Sequence, residues 1–138
     1  MKNSKTLKMI LIISGLIAIG VGASILTIPV SFYATNSINI EGNISLLSEI
    51  RASGGALLAS GIVIFLGAFV AKLTFTSTVI ASLLYLSYGL SRILSIAIDG
   101  IPAEGLVQAV ILELIIGLVC LFSLVIYIKR CNTITRHN

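Results

Sequence analysis

The chain has 138 residues, of which 57% are hydrophobic and only 10% charged, with a net charge of +4. Soluble domains carry about 25% charged residues, so this composition excludes a surface that faces water on all sides. The basic excess is divided between two short tails and scattered single positions, which excludes nucleic-acid binding and points to anionic lipid headgroups as the partner of the flanking lysines and arginines.

Crossing a hydrocarbon core takes about 20 apolar residues. The first run that qualifies spans residues 9–28, behind Lys2, Lys5 and Lys8. It is longer than the apolar core of a signal peptide and is followed by no small-x-small cleavage site, so it reads as a retained span. Gly15, Ala18 and Gly22 recur at helical spacing, a pattern that lets helix backbones approach closely in lipid. Pro29 ends the span. Phe32 and Tyr33 are then expected in an aromatic belt at headgroup depth, ahead of a polar, external loop through Asn36, Asn39, Glu41, Gly42 and Asn43. Asn43-Ile44-Ser45 also fits a glycosylation sequon, a match too short to carry weight.

The second span is predicted over residues 47–71, with Glu49 and Arg51 near its start. Ala52, Ser53, Ala56, Ser60 and Gly67 are expected to form its packing stripe, on the face of Glu49. A short connection at Lys72 makes this span an antiparallel hairpin with the third, residues 74–98. Asp99-Gly100-Ile101-Pro102 is a second turn, with proline suited to the first turn of the next helix. The fourth span covers residues 103–128, with Glu113 on the face of Ala109, Gly117 and Cys120. The fold class expected is an all-α, four-helix transmembrane bundle, organised as one integral membrane domain.

Charge sorting gives an orientation. Lys2, Lys5 and Lys8, then Lys72, then Lys129, Arg130 and Arg136 fall on one side, and the two remaining loops hold no Lys or Arg. The positive-inside rule places both termini in the cytoplasm, which only an even number of crossings allows.

Arg92 is the outstanding residue. A guanidinium keeps its charge wherever it lies, and charged groups within spans face bundle interiors or wet cavities. Tyr85, Tyr88, Arg92, Ser95 and Asp99 recur every three or four residues and share an arc of about 80°. Helical side chains tilt toward the helix N-terminus. On the outward-running third span Arg92 therefore tilts deeper, and on the inward-running fourth span Glu113 tilts up, so the two are predicted to meet. Arg51 tilts outward and is expected to snorkel, and Glu49 lies shallow enough to be solvated. Asp99 sits at a helix C-terminus, where the dipole disfavours an anion, and a nearby cation, Arg51 or Arg92, is expected. Together these residues predict a polar pocket open to the outside, with Arg92, Glu113, Asp99, Tyr88, Tyr85, Arg51 and Glu49 as the candidate ligand-binding set. The inner half of the bundle shows no ionisable residue apart from the flanking ones, and no polar path.

The chain has no P-loop and no G-x-S-x-G or H-E-x-x-H pattern. Its one histidine is His137, so no Cys/His cluster could hold zinc, and neither cofactor nor metal is expected. Cys120 and Cys131 read as apolar filler and a free thiol. Acid–base chemistry by a desolvated Glu113 remains open.

The series Glu49-Ile50-Arg51-Ala52, Gly54-Gly55, Arg92, Asp99-Gly100-Ile101-Pro102 and Glu113 resembles a family of small four-span bacterial membrane proteins filed as a domain of unknown function. The resemblance implies a bacterial inner-membrane protein and no activity, and it places the polar residues singled out above among those the family pattern carries. The architecture is also similar to small four-span proteins of the DoxX type, with no residues matched. From the residues themselves, the function expected is binding of a small or lipid-like ligand. The alternatives are an assembly subunit or homo-oligomer whose ion pairs only fix packing, and a membrane-embedded acid–base enzyme. A transporter or channel is disfavoured by the short chain, the lack of an internal repeat and the absence of a polar path through the inner half.

Overall fold

The computed structural model describes residues 5–135, with side chains as far as Lys129. Lys2, Arg136 and His137, and the side chains of Arg130 and Cys131, lie outside that description. Five helices follow in order: α1 Lys5–Thr27, α2 Pro29–Ala34, α3 Ile44–Leu66, α4 Thr74–Asp99 and α5 Glu104–Thr135. Four of them are long and apolar enough to cross a membrane. The 23 residues of α1 or α3 reach about 35 Å at 1.5 Å per residue, enough for a hydrocarbon core of about 30 Å. The protein is an all-α bundle of multi-pass membrane character.

Local chemistry sets the helix ends. Asn43 caps α3, its side-chain oxygen accepting from the Leu46 backbone N–H at 3.0 Å. The helix starts three residues earlier than the hydropathy pattern suggests and stops at Leu66. Residues 67–73 then form a run of turns, so the link around Lys72 is longer than expected. Gly100, at φ 99°, ends α4 in a conformation that favours glycine.

The tightest packing falls within two helix pairs. α1 lies against α3, and α4 against α5. At the first interface Gly15 meets the Phe65 backbone, Gly22 the backbone of Gly54 and Leu58, and Gly61 the Ala18–Ile19 turn. This places α1's small stripe as expected and corrects that of α3. Gly54, Leu57, Gly61 and Ile64 form its buried face, while Ala52, Ser53 and Ala56 are exposed. Both sets recur at helical spacing, but only glycines admit the α1 backbone this closely. At the second interface Gly89 packs on Leu114 and Gly117 on Leu86.

α4 joins the two pairs. Ser77 Oγ donates to the Val63 carbonyl at 2.7 Å and Thr74 Oγ1 to that of Gly67 at 2.9 Å. Thr74, Ser77, Thr78 and Ser82 form a buried, uncharged polar column in the half of the bundle where the sequence shows no ionisable residue apart from the flanking ones. Each hydroxyl is satisfied by a backbone carbonyl, the usual device for polar groups where no water is available. Higher up, the buried Tyr85 hydroxyl donates to the Ser14 carbonyl and ties α4 to α1. Tyr85→Phe removes that bond while keeping the ring, and a loss of about 1 kcal/mol is expected in reversible unfolding of the detergent-solubilised protein.

The two ends differ in charge. Lys8 Nζ lies 5.0 Å from the centre of the Phe69 ring, and Phe75 and Tyr127 pack at 5.6 Å. These contacts gather the start of α1, the 67–73 turns, the start of α4 and the end of α5, and with them Lys5, Lys8, Lys72 and Lys129. The opposite end carries Glu41, Glu49, Asp99 and Glu104, with Arg51.

Candidate functional site

Between the α1–α3 pair and the α4–α5 pair lies a cavity of about 350 Å³, in the half of the bundle away from the lysines. Ile17, Val21 and Ile25 of α1, Leu57 of α3, Leu84 of α4 and Leu106 of α5 supply much of its apolar wall. Its polar groups are Tyr33, Asn36, Ser53, Tyr85, Tyr88, Arg92 and Glu113. α2 closes one side. Proline pre-sets its first turn, and Tyr33 and Phe32 pack edge to face with ring centres 5.8 Å apart.

Arg92 and Glu113 form an ion pair, as the opposed tilts of their helices require. Arg92 Nε donates to both carboxylate oxygens, each at 3.2 Å. The Arg92 side chain is 34% exposed and that of Glu113 13%. Nε alone engages the carboxylate, and the two terminal amino groups make no hydrogen bond with any described residue. The same holds for the hydroxyls of Tyr33 and Tyr88. Tyr88 lies close enough to Tyr33, Arg92 and Glu113 to interact electrostatically with all three. Among the described residues no side-chain nitrogen or oxygen is both sealed from solvent and unpartnered, so these free donors reach accessible space.

The remaining candidates sit elsewhere. Asp99 is exposed at the end of α4 and accepts from Ser95 Oγ at 3.0 Å, and no described ion pair supplies the cation expected beside it. Arg51 is exposed and donates through Nη1 to the Leu26 carbonyl, anchoring the start of α3 to the end of α1. The carbonyls in the last turn of a helix lack intrahelical donors, which makes them natural partners for a nearby guanidinium. Glu49 is exposed, on the face of α3 turned away from α1. Thus Arg92, Glu113, Tyr85 and Tyr88 come together around one cavity, and Asp99, Arg51 and Glu49 stay outside it.

Sequence reasoning missed Tyr33 and Asn36 as cavity residues. Tyr33 was expected in an aromatic belt and Asn36 in an external loop, but α2 folds back and turns both toward the cavity, where Asn36 Oδ1 nearly touches Gly105. Pro29 at the first turn signals a helix start there, but nothing in six residues shows which way the helix turns. Among the described residues no three His, Cys, Asp or Glu side chains group as a metal site would.

A family model described as a domain of unknown function (DUF4345) matches residues 6–124. No curated protein and no solved structure matches the chain.

Proposed function

The chain belongs to the DUF4345 family, a membership that brings no activity with it, and from the cavity itself we propose that this protein binds a small or lipid-like ligand between its helices. Arg92 anchors a carbonyl or anionic group through its free amino groups. Glu113 balances its charge, and Tyr88 and Tyr85 line the wall, while Asp99, Arg51 and Glu49 lie outside the cavity. The observation that supports this reading most is an arginine engaged on one edge only, in a mainly apolar cavity with uncommitted hydroxyls nearby. Apolar pockets with a few convergent polar groups are the usual form of small-molecule sites.

The setting proposed is a bacterial cytoplasmic membrane with both termini inside. The lysines collected at one end of the bundle support it, because positive residues favour the cytoplasmic side. The cavity then opens toward the exterior.

Native mass spectrometry of the gently purified protein should report a co-purifying molecule, together with the copy number. Lipid extracts that raise the unfolding temperature of the wild type should fail on Arg92→Ala and on Ala109→Phe, which fills the cavity. A ligand at 100 times its Kd stabilises by about 2.7 kcal/mol, so the loss is readable. Equal stabilisation of all three proteins removes the proposal.

A second reading has its own observation: the ion pair bridges α4 and α5 and so could serve packing alone. Exchanging Arg92 and Glu113 separates the two. Recovery of stability together with ligand response indicates scaffolding. Recovery of stability alone indicates a site with a direction.

A further inference from the structure

Resting on that reading of the cavity, we infer that its ligand is a neutral amphiphile with a single short apolar body and a carbonyl-type head, and not an anion. The inference comes from the charge of the wall. Among the described residues, Arg92 and Glu113 are the only carboxylate and cationic side chains that line the cavity, and they already neutralise one another. Glu49, Arg51, Asp99 and Glu104 are exposed and form no part of its lining. A neutral head enters a balanced site. An anionic head faces a choice between two unfavourable arrangements. It either adds an uncompensated negative charge to a mainly apolar cavity, or takes Arg92 and leaves the Glu113 carboxylate unpaired.

The pair still has capacity for a neutral guest. A guanidinium carries five N–H donors, and only the one on Nε is engaged here. Each Glu113 oxygen accepts once from Nε and keeps lone pairs for a further donor. A carboxamide matches both, its oxygen accepting from the Arg92 amino groups and its NH₂ donating to Glu113. The hydroxyls of Tyr33 and Tyr88 can supply further neutral hydrogen bonds. An ester or a hydroxyl head would use part of the same set.

Size narrows the body. A cavity of about 350 Å³ lies at the lower end of the range of small-molecule pockets, about 300–1,000 Å³, which suits one short apolar body better than two long chains. The wall residues Ile17, Val21, Ile25, Leu57 and Leu106 suit one short aliphatic or alicyclic body.

Octanamide and octanoate test this directly, because they share a chain and nearly a shape and differ in charge. Binding is measured for the full-length protein in phosphatidylcholine nanodiscs at pH 8, where octanoate is ionised. Wild type should bind octanamide about tenfold or more tightly than octanoate. Ala109→Phe should abolish octanamide binding. Glu113→Gln leaves Arg92 uncompensated and should reverse the preference toward octanoate. If octanoate binds wild type as tightly as octanamide, and Ala109→Phe removes it, the cavity reading stands and the neutral-ligand inference falls. If neither probe gives binding sensitive to Ala109→Phe, both fall. Should Glu113→Gln fail to fold, the wild-type comparison decides alone.

Discussion

Gly22→Ala is expected to lower stability by about 3 kcal/mol, at the upper end of what overpacking costs, with a matching fall in unfolding temperature. A methyl group at Gly22 would stand 2.5 Å from the Leu58 backbone nitrogen and 2.9 Å from the Gly54 carbonyl oxygen. Neither neighbour is a flexible side chain, so relief requires α1 and α3 to separate. Separation also loosens Gly15 against Phe65 and Gly61 against Ala18, because one interface holds all of them. Gly20 is the matched control. It lies two residues away in the same helix, with open space where a methyl group would go. Gly20→Ala should be neutral or gain up to about 1 kcal/mol, since glycine weakens a helix interior. Equal stability of the two variants in reversible unfolding would refute the close approach of α1 and α3.

The second large effect concerns the ion pair. Breaking a fully buried pair by removing one partner costs about 3–5 kcal/mol, whereas an exposed pair contributes at most about 1 kcal/mol. With Arg92 34% and Glu113 13% exposed, Arg92→Met or Glu113→Met should lose about 2 kcal/mol each, between those limits. The double variant Arg92→Met/Glu113→Met leaves no unpaired charge and retains side-chain volume, so it should recover most of that loss. A double-mutant cycle in detergent reads the difference. Additive losses would mean that the two groups do not interact in solution.

Helix number and the central contact were legible because each rests on a strong local rule. Four apolar runs can only be long helices in lipid, and the N-terminal tilt of helical side chains brings Arg92 of one helix toward Glu113 of the next, antiparallel one. Asp99-Gly100 declared its turn through a glycine with positive φ. The packing face of α3 was not legible in the same way. Ala52, Ala56 and Ser60 compete with Gly54 and Gly61 at similar spacing, and the choice is made by which set α1 can approach, a long-range fact. The cavity side formed by α2 was hidden for a related reason. Six residues carry too little periodicity to reveal that Tyr33 and Asn36 turn back toward the bundle. Asp99 illustrates a third case: its helix-end position raised the need for a cation, but the nearby Ser95 hydroxyl supplies the hydrogen bond instead.

The pairing of α1 with α3 and of α4 with α5 has a consequence for assembly. The chain passes from one pair to the other once, through residues 67–73. During synthesis the first pair can therefore close before the second begins to emerge, offering later segments a finished surface to dock on. The void between the pairs is then a seam left where two separately formed halves meet, and Ser77 on Val63 with Tyr85 on Ser14 are the stitches that hold it at a fixed width.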